Sequence, residues 1–390
     1  MKKLWSELAV NQSLPRRSFL LSAAGAATAT CLSPNLLLAS YSEPNHASSI
    51  AADVMEQALE RMVKLAPLGN HGPMAVEALI TLGCAEEVSR WIDGYEKRFT
   101  RDSPAPREKV TSANWRAALG DYSRVADWAA FFRAELKEAA WPQVVEKWVA
   151  HLAPGLAASA AHGIIRTGHA VRSLSIRESE GRRHELAEGL AYWAATYLTF
   201  PDSLNAKAEN LKLTDALSRV PHLPDEKRKR GSVTDALASL NQLPEFAVVG
   251  NLLALPASAS QFLSEVTETF AAVYLKNVHD RNAIGLVHAI TGATAIRSLL
   301  PYLSPTTTRS VMRYGWQLVA GIYSVYTPAL PHPLSTNGEI KRDELIGRAV
   351  AAQDEHAIKV TEACLREYAL NAKPVYLQAA QDAVMRFRIG

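Results

Sequence analysis

Four segments of this 390-residue sequence start with a histidine and continue in a related way. They begin at His71, His162, His288 and His356, and read HGPMAVEALITLG, HGIIRTGHAVRSL, HAITGATAIRSLL and HAIKVTEACLREY. Seven residues after the histidine, each segment has alanine or, in the second segment, His169. The repetition predicts four helices that each carry a histidine at an equivalent inward position, with small residues leaving space beside it.

The cost of burying four histidines bears on whether they are functional. Burying an imidazole costs solvation free energy unless a hydrogen-bond partner compensates for it. Four copies in the same local setting, among eleven histidines, therefore favour a functional site. Duplication of a helical unit that kept the histidines for packing alone is the structural alternative. Neutral histidines could deprotonate a weakly acidic organic substrate, because the intrinsic pKa of histidine suits this reaction near neutral pH. Arg166 and Lys359, which lie one helical turn after His162 and His356, could then hold the anion.

A metal site built from histidines on separate helices is the second interpretation, because imidazole binds zinc, copper and iron. Helix-bundle di-iron sites use Glu-x-x-His pairs, and no acidic residue lies three positions before any of the four histidines. Those positions hold Leu68, Ser159, Gly285 and Gln353. The sequence also lacks a dinucleotide-binding fingerprint, a Walker loop, a serine elbow and a Cys-x-x-Cys pair. Nucleotide cofactors therefore have no motif here.

Helical periodicity runs through nearly the whole chain and must position these residues. Apolar residues recur at three- and four-residue spacings over 51–64, 126–150, 189–197, 257–274, 283–303 and 344–368, with prolines mostly between these runs. The pattern predicts an all-α fold, a single large helical domain over 46–390 with the histidine-led helices around a central pocket. Two matching segments, TDALSRVPHLP and TDALASLNQLP, predict short Thr- or Asp-capped helices ended by proline, within an excursion over 205–245.

Charge excludes one class of partner. The formal net charge of +3 is too small to indicate nucleic-acid binding. The densest basic run, 226–231, has no aromatic residues between its charges and lies between prolines, which is typical of a solvated loop.

The first 45 residues are typical of a twin-arginine signal peptide with its spacer. Arg16 and Arg17 precede Phe19 and Leu20, and an Ala- and Gly-rich apolar region follows. An N-terminal membrane anchor is the alternative, but this region is weakly hydrophobic and broken by Ser, Thr and Pro34. The pattern predicts a bacterial periplasmic or secreted protein that uses the twin-arginine export machinery. No later apolar run is expected to span a bilayer, so the mature chain is predicted to have no stable membrane span.

At several separated motifs the sequence resembles the questin oxidase-like family. The resemblance rests on NHGPM at 70–74, Trp115, ALG at 118–120, Tyr122, WAAFF at 128–132, GLAASAAHGIIRTGHAVR at 155–172, VHAITGATAIRSL at 287–299 and DEHAIK at 354–359. It extends over about residues 50–388 in family order. The family is similar to fungal enzymes of anthraquinone-like polyketide pathways, and a helical fold is implied.

The activity implied by the resemblance is a Baeyer–Villiger-type monooxygenation of an electron-rich aromatic substrate with molecular oxygen as co-substrate. For some members it proceeds without flavin or metal, so no cofactor is expected, while NADPH dependence and a histidine-bound metal stay open. Carried over, the catalytic candidates are His71, His162, His169, His288 and His356, and the substrate-binding candidates are Arg166, Lys359 and Trp115.

Export from a bacterium departs from the intracellular fungal setting, so a periplasmic quinol or another phenolic compound is an equally good substrate. Besides the oxygenase, a histidine-ligated metalloenzyme and a non-enzymatic periplasmic protein that binds an aromatic ligand remain alternatives.

Overall fold

A computed structural model describes residues 46–65, 70–98, 104–203, 207–327 and 340–388. The predicted signal peptide and spacer, 1–45, lie outside these residues. Within the described ranges there is no β-strand, only isolated bridges at Leu156–Leu198 and Leu211–Leu253. Residues His46–Gly390 form one compact unit. The all-α prediction is confirmed.

Fifteen α-helices, several joined by short 3₁₀ turns, make up the described part of the fold. They are α1 His46–Met62, α2 Gly72–Thr81, α3 Val88–Tyr95, α4 Val125–Glu138, α5 Trp141–Leu152, α6 His162–Ile176, α7 Glu180–Ala195, α8 Leu213–Ser218, α9 Val233–Ala238, α10 Ala259–Asn277, α11 Ala283–Leu299, α12 Pro305–Tyr326, α13 Arg342–Ala352, α14 Glu355–Leu370 and α15 Pro374–Arg386.

Helix α11 is the centre of the bundle. It packs against α6, α10, α12 and α14, and α2 packs in turn against α6 and α14. Its sequence, AIGLVHAITGATAIRSL, is apolar or small on nearly every side, as a helix surrounded by other helices requires. The helices that begin near the four repeated histidines are therefore mutual neighbours.

The stretch Ala283–Tyr302, which includes α11, is long and apolar enough to cross a membrane by length and composition. The expectation that no later apolar run reaches this length is therefore wrong. However, 78% of its most apolar window is buried inside the fold, as in the core helix of a bundle. One such helix is weak evidence for a membrane span, and the absence of a span in the mature chain stays a prediction.

Two runs predicted as continuous helices are each interrupted. The run 126–150 breaks between α4 and α5, where Pro142 lies in the first turn of α5, a position that tolerates a missing N–H. The run 344–368 breaks at Gln353, whose φ is 55°, and Asp354 then caps α14 by accepting hydrogen bonds from the backbone of His356 and Ala357. This second break places His356 in the first turn of a new helix.

The described part of the 205–245 segment, from residue 207 onward, packs against the bundle, with Leu237 and Leu240 fully buried and α9 in contact with α12. Its predicted Thr or Asp caps are wrong. Ser232 caps α9 in a capping box with Asp235, and α8 has no side-chain cap. The basic run 226–231 is a mostly exposed loop, as predicted.

Candidate functional site

The four repeated histidines meet in one buried cluster, called here the histidine centre. The ring centroids of His71 and His162 are 4.4 Å apart, those of His162 and His288 are 4.5 Å apart, and those of His71 and His356 are 4.8 Å apart. His288 and His356 close the cluster at 5.8 Å. Residues separated by almost 300 positions in the chain are thus brought into ring contact, which supports the hypothesis of a shared site.

Each histidine reaches the centre from a different point on its helix. His71 is the residue before α2, His162 is the first residue of α6, and His356 lies in the first turn of α14. His288 lies within α11 and is only 1% exposed. Three helix starts are therefore arranged around the side of one central helix.

The imidazole of His162 is held in one tautomer. Its Nδ1 lies 2.5 Å from the carbonyl oxygen of Ser159. A carbonyl only accepts hydrogen bonds, so Nδ1 carries the proton and Nε2 keeps its lone pair. This Nε2 is buried and has no hydrogen-bond partner among the described residues. It is an available ligand or acceptor atom.

His71 is fixed through its backbone. Its N–H donates to the hydroxyl oxygen of Tyr95 over 2.5 Å, and that hydroxyl lies 3.3 Å from Oδ1 of Asn70. Its Nδ1 faces the ammonium of Lys359 at 3.4 Å and a carboxylate oxygen of Glu355 at 3.7 Å. A cation and an anion therefore lie on the same side of this ring.

The other two rings differ in their support. Nδ1 of His356 lies 3.3 Å from Oδ1 of Asp354, so this carboxylate both caps α14 and orients the ring. In contrast, neither nitrogen of His288 has a hydrogen-bond partner in the described structure. A fully buried imidazole without a partner is costly, and it marks a place where a ligand would complete the site.

Burial keeps three of the imidazoles neutral, those of His71, His162 and His288. It lowers the pKa of His71 and of His288 well below the usual range, and Lys359 and the other histidines lower both further. Burial and the charge of Lys359 lower the pKa of His162 to about 3. The expectation that these groups titrate near neutrality is therefore wrong for His71, His162 and His288.

Lys359 is the cation beside the histidine centre. It is 2% exposed, and burial lowers its pKa to about 8, while Glu355 and Asp354 act in the opposite direction. Glu355 is held in turn by Arg98, whose Nη2 is 3.0 Å from Oε2. The ammonium therefore keeps most of its charge at neutral pH and lies where an anionic ligand of the centre would be stabilised.

Three of the rings lie close enough together to be candidate metal ligands. His71, His162 and His356 each offer one nitrogen, and these three atoms lie within 4.8 Å of one another. Neutral imidazole nitrogens are ligands for iron, copper and zinc. His288 touches two of these rings without belonging to the group of three closely spaced nitrogens. The donor set therefore fits a transition-metal ion.

The fifth histidine, His169, belongs to a separate buried charge network. Its Nδ1 lies 2.6 Å from Oε2 of Glu77, and Arg172 bridges Glu77 to Glu362, with Nη1 of Arg172 2.5 Å from Oε1 of Glu362. A cavity of about 10 Å³, the size of a single water, lies between this network and Lys359. His169 thus neighbours the centre without joining its ring contacts.

Arg166 and Trp115 are engaged elsewhere. Nε and Nη2 of Arg166 donate to the carboxylate of Glu185 over 2.6 and 2.8 Å, so its charge is already neutralised by a buried partner. Trp115 packs edge-on against Trp148 at 5.2 Å and beside His151 at 4.9 Å. The structure therefore gives both residues packing and pairing contacts away from the histidine rings.

Sequence reasoning missed three residues that shape the centre: Ser159, Tyr95 and Glu355. Ser159 acts through a backbone carbonyl, and Tyr95 holds a backbone N–H, so neither leaves a motif of side-chain types. Glu355 was visible beside His356 in the DEHAIK motif, and its acidic side chain next to a repeated histidine could have indicated a partner for Lys359.

Comparison with protein families gives one match. The model of a family described as questin oxidase-like matches residues 68–364. This range covers about three quarters of the chain and includes all four residues of the histidine centre. A search of curated proteins finds no match.

Proposed function

Because this chain belongs to the questin oxidase-like family, it is an oxidoreductase, and we propose that it is a monooxygenase acting at the histidine centre. Its substrate would be an electron-rich aromatic compound or quinol, oxidised by molecular oxygen in a Baeyer–Villiger-type insertion. The observation that carries the proposal is the convergence of four imidazoles, three of them kept neutral by burial, beside the buried ammonium of Lys359. A binding protein without catalysis is not supported, since the family is one of oxidoreductases.

The geometry favours a histidine-bound metal ion over a metal-free reaction. An imidazole whose pKa is about 3, as for His162, is a weak base. It would therefore deprotonate a phenolic substrate inefficiently. The same neutral ring with an unpartnered Nε2 is the form that binds metal. A redox-active ion such as iron or copper would supply the activation of dioxygen, which as a triplet reacts slowly with paired-electron molecules.

The residues of the chain have separate roles in this proposal. His71, His162 and His356 hold the ion, and His288 packs against two of these rings. The Ser159 carbonyl and Asp354 orient two of the rings, as outer partners of metal-bound histidines generally do. Lys359 stabilises the negative charge of a phenolate or enolate through a charge-assisted hydrogen bond.

A metal-free reaction is the second candidate, favoured by the ammonium of Lys359 next to the rings. There, a hydroquinone bound as its anion would transfer one electron to dioxygen, and the two radicals would combine to a hydroperoxide. Its rearrangement would insert one oxygen atom into the substrate and release the other as water, so the hydroquinone itself would supply both reducing electrons. The protein would orient the substrate and stabilise its charge.

Elemental analysis of the purified mature protein separates the two candidates. We expect one transition-metal ion per chain, removed by a chelator and restored by the metal together with oxygen uptake. Oxygen uptake that persists undiminished in metal-free protein would establish the second candidate instead. Assays with and without NADPH decide whether a nicotinamide is needed.

Oxygen uptake with a panel of hydroquinones and anthrahydroquinones tests the oxygenase itself. A His162→Ala, His288→Ala double variant should lose at least about a hundredfold in rate, the order of loss when preorganised groups are removed from an active site. His279→Ala, at an exposed histidine, is the matched control and should keep wild-type activity. If no substrate consumes oxygen faster with the wild type than with the double variant, the proposed function is wrong.

A further inference from the structure

The residues directly before α6 have an unusual backbone. Ser159, Ala160 and Ala161 have φ angles of 45°, 55° and 73°. Side chains disfavour this left-handed region, and residues other than glycine visit it mostly singly. Three in a row persist only where surrounding structure holds them, and such strain is concentrated at functional sites.

This left-handed turn directs a carbonyl at the histidine centre. The oxygen of Ser159 accepts from the backbone N–H of His162 at 3.2 Å and from its Nδ1 at 2.5 Å. The ring is therefore fixed at both its backbone and its side chain by one atom. The turn thus sets which nitrogen of His162 carries the proton.

Helix α7 anchors the turn at two points. The hydroxyl of Tyr192 lies 2.6 Å from Oγ of Ser159, and the indole of Trp193 donates to the carbonyl of Gly155 over 3.0 Å. Gly163 allows the close approach, because a Cβ there would lie 2.7 Å from the Cα of Trp193. Two adjacent residues of one helix thus hold the segment on both sides of the left-handed turn.

We propose that Ser159 is a positioning residue of the histidine centre. Anchored by Tyr192, its left-handed turn fixes His162 as the Nδ1–H tautomer, which leaves Nε2 as the atom that binds a metal ion or an acceptor of the substrate. The role of this turn in catalysis depends on the proposed function, whereas the tautomer of His162 can be measured in protein without metal or substrate.

Nitrogen-15 NMR of chelator-treated protein labelled at histidine tests the tautomer, with the His162 signals assigned by their loss in His162→Gln. We expect a protonated Nδ1 and an unprotonated Nε2. A protonated Nε2 on His162 would overturn the proposal, whatever the activity of the enzyme.

Two variants test the anchor. Tyr192→Phe keeps the ring and removes the hydroxyl, and Ser159→Ala removes the other half of the contact. Each should give a mixture of His162 tautomers and weaken binding of Co²⁺ alone by about 10–100-fold, the usual effect of losing an outer partner of a metal-bound histidine. A wild-type tautomer together with wild-type Co²⁺ affinity in both variants would contradict the anchoring role.

Tyr274→Phe is the matched control, because it removes a tyrosine hydroxyl that lies 2.7 Å from Asp382. It should leave the His162 tautomer and Co²⁺ affinity unchanged. If the tautomer and its response to Tyr192→Phe are as expected while no substrate consumes oxygen, the proposed function fails and the positioning role of Ser159 stands.

Discussion

A histidine in water changes charge near neutral pH, and burial has removed that property from His71, His162 and His288. His288 illustrates the cause: its ring is enclosed by α11 and its neighbours, with no carboxylate to stabilise the protonated form. Protonation of such a ring would leave a buried charge beside Lys359. What remains useful is the lone pair, and the proposed role as ligand rather than base rests on it.

The lowered pKa values predict loss of stability in acid. In the unfolded chain a histidine binds a proton below about pH 6.5, whereas in the folded chain burial holds the pKa of His288 well below this value. The contribution of the neutral ring to the free energy of unfolding is therefore fully present above about pH 6.5, and the free energy of unfolding falls as the pH drops below this value. Each such histidine contributes up to about 1.4 kcal/mol per pH unit.

Denaturant unfolding of chelator-treated protein between about pH 7 and about pH 5 measures this slope. His288→Gln should make the fall in stability shallower by up to about 1.4 kcal/mol per pH unit, because one histidine no longer takes up a proton on unfolding. His279→Gln controls for the loss of an exposed histidine. An unchanged slope in His288→Gln would refute the explanation.

The repeated local pattern correctly indicated that the four histidines share one site, but the expected equivalent position is wrong, because His288 lies inside its helix while the other three lie at helix starts. Partners are a different matter. Arg166 was expected to hold a substrate anion, and nothing in the letters around it indicates that Glu185 on the next helix would neutralise it. Charge pairing between helices depends on which faces pack together, and one sequence does not contain that information.

The buried pair gives a prediction with a clear sign. Arg166 and Glu185 are 4% and 7% exposed, and removing one member leaves the other charge buried without a partner. Arg166→Met should lower the free energy of unfolding by about 3–5 kcal/mol, while Arg166→Met with Glu185→Leu should lower it much less. Denaturant unfolding of both variants checks this. A single variant as stable as the wild type would mean that the pair does not form.

At the scale of helices, the small residues allow two helices to pack closely and do not leave open space between them. A Cβ on Gly168 of α6 would lie 3.0 Å from both the Cβ and the carbonyl oxygen of Ala295 on α11. Ala295 is one of the small residues expected from the repeat to leave room beside a histidine. Its observed role is to let α6 approach α11, and this approach brings His162 to His288.

Replacing each of two helical glycines by alanine distinguishes the effect of helix propensity on stability from the effect of packing. Gly163→Ala places a Cβ 2.7 Å from the Cα of Trp193, which cannot move without shifting α7, so we expect a loss of about 1–3 kcal/mol. Gly347→Ala in α13 meets nothing within 4 Å and should gain about 0.5–1 kcal/mol from its better helix propensity. Thermal unfolding ranks the two variants against the wild type. The opposite order would show that α6 and α7 are not packed as described.

The helices themselves were largely predictable, because the 3.6-residue periodicity is strong in α10, α11 and the other long elements. Their interruptions were not. The break at Gln353 needs a left-handed residue and an Asp354 cap, in a stretch whose apolar spacing continues through it. Since this break starts α14 beside His71, the periodicity missed the feature that places His356 in the centre.

At the scale of the whole molecule, the histidine centre exists only in the completed fold. His71 and His356 are in ring contact although they come from opposite ends of the described chain. Helix α11, which carries His288, is buried only once α6, α10, α12 and α14 have packed around it. An export route that carries folded proteins would therefore deliver an assembled centre, with any metal ion bound before export. A route that threads unfolded chains would require assembly and metal binding outside the cytoplasm.

The paired arginines at the N-terminus predict the first route, and this stays a prediction because 1–45 lie outside the described residues. Replacing Arg16 and Arg17 by lysine keeps the positive charge but removes the guanidinium pair of the predicted signal. We expect the protein to accumulate in the cytoplasm of a bacterial host, as measured by fractionation. Lys2 and Lys3 changed to arginine serve as the control, since they lie outside the motif and should leave export intact. Undiminished periplasmic yield from the double lysine variant would contradict twin-arginine export.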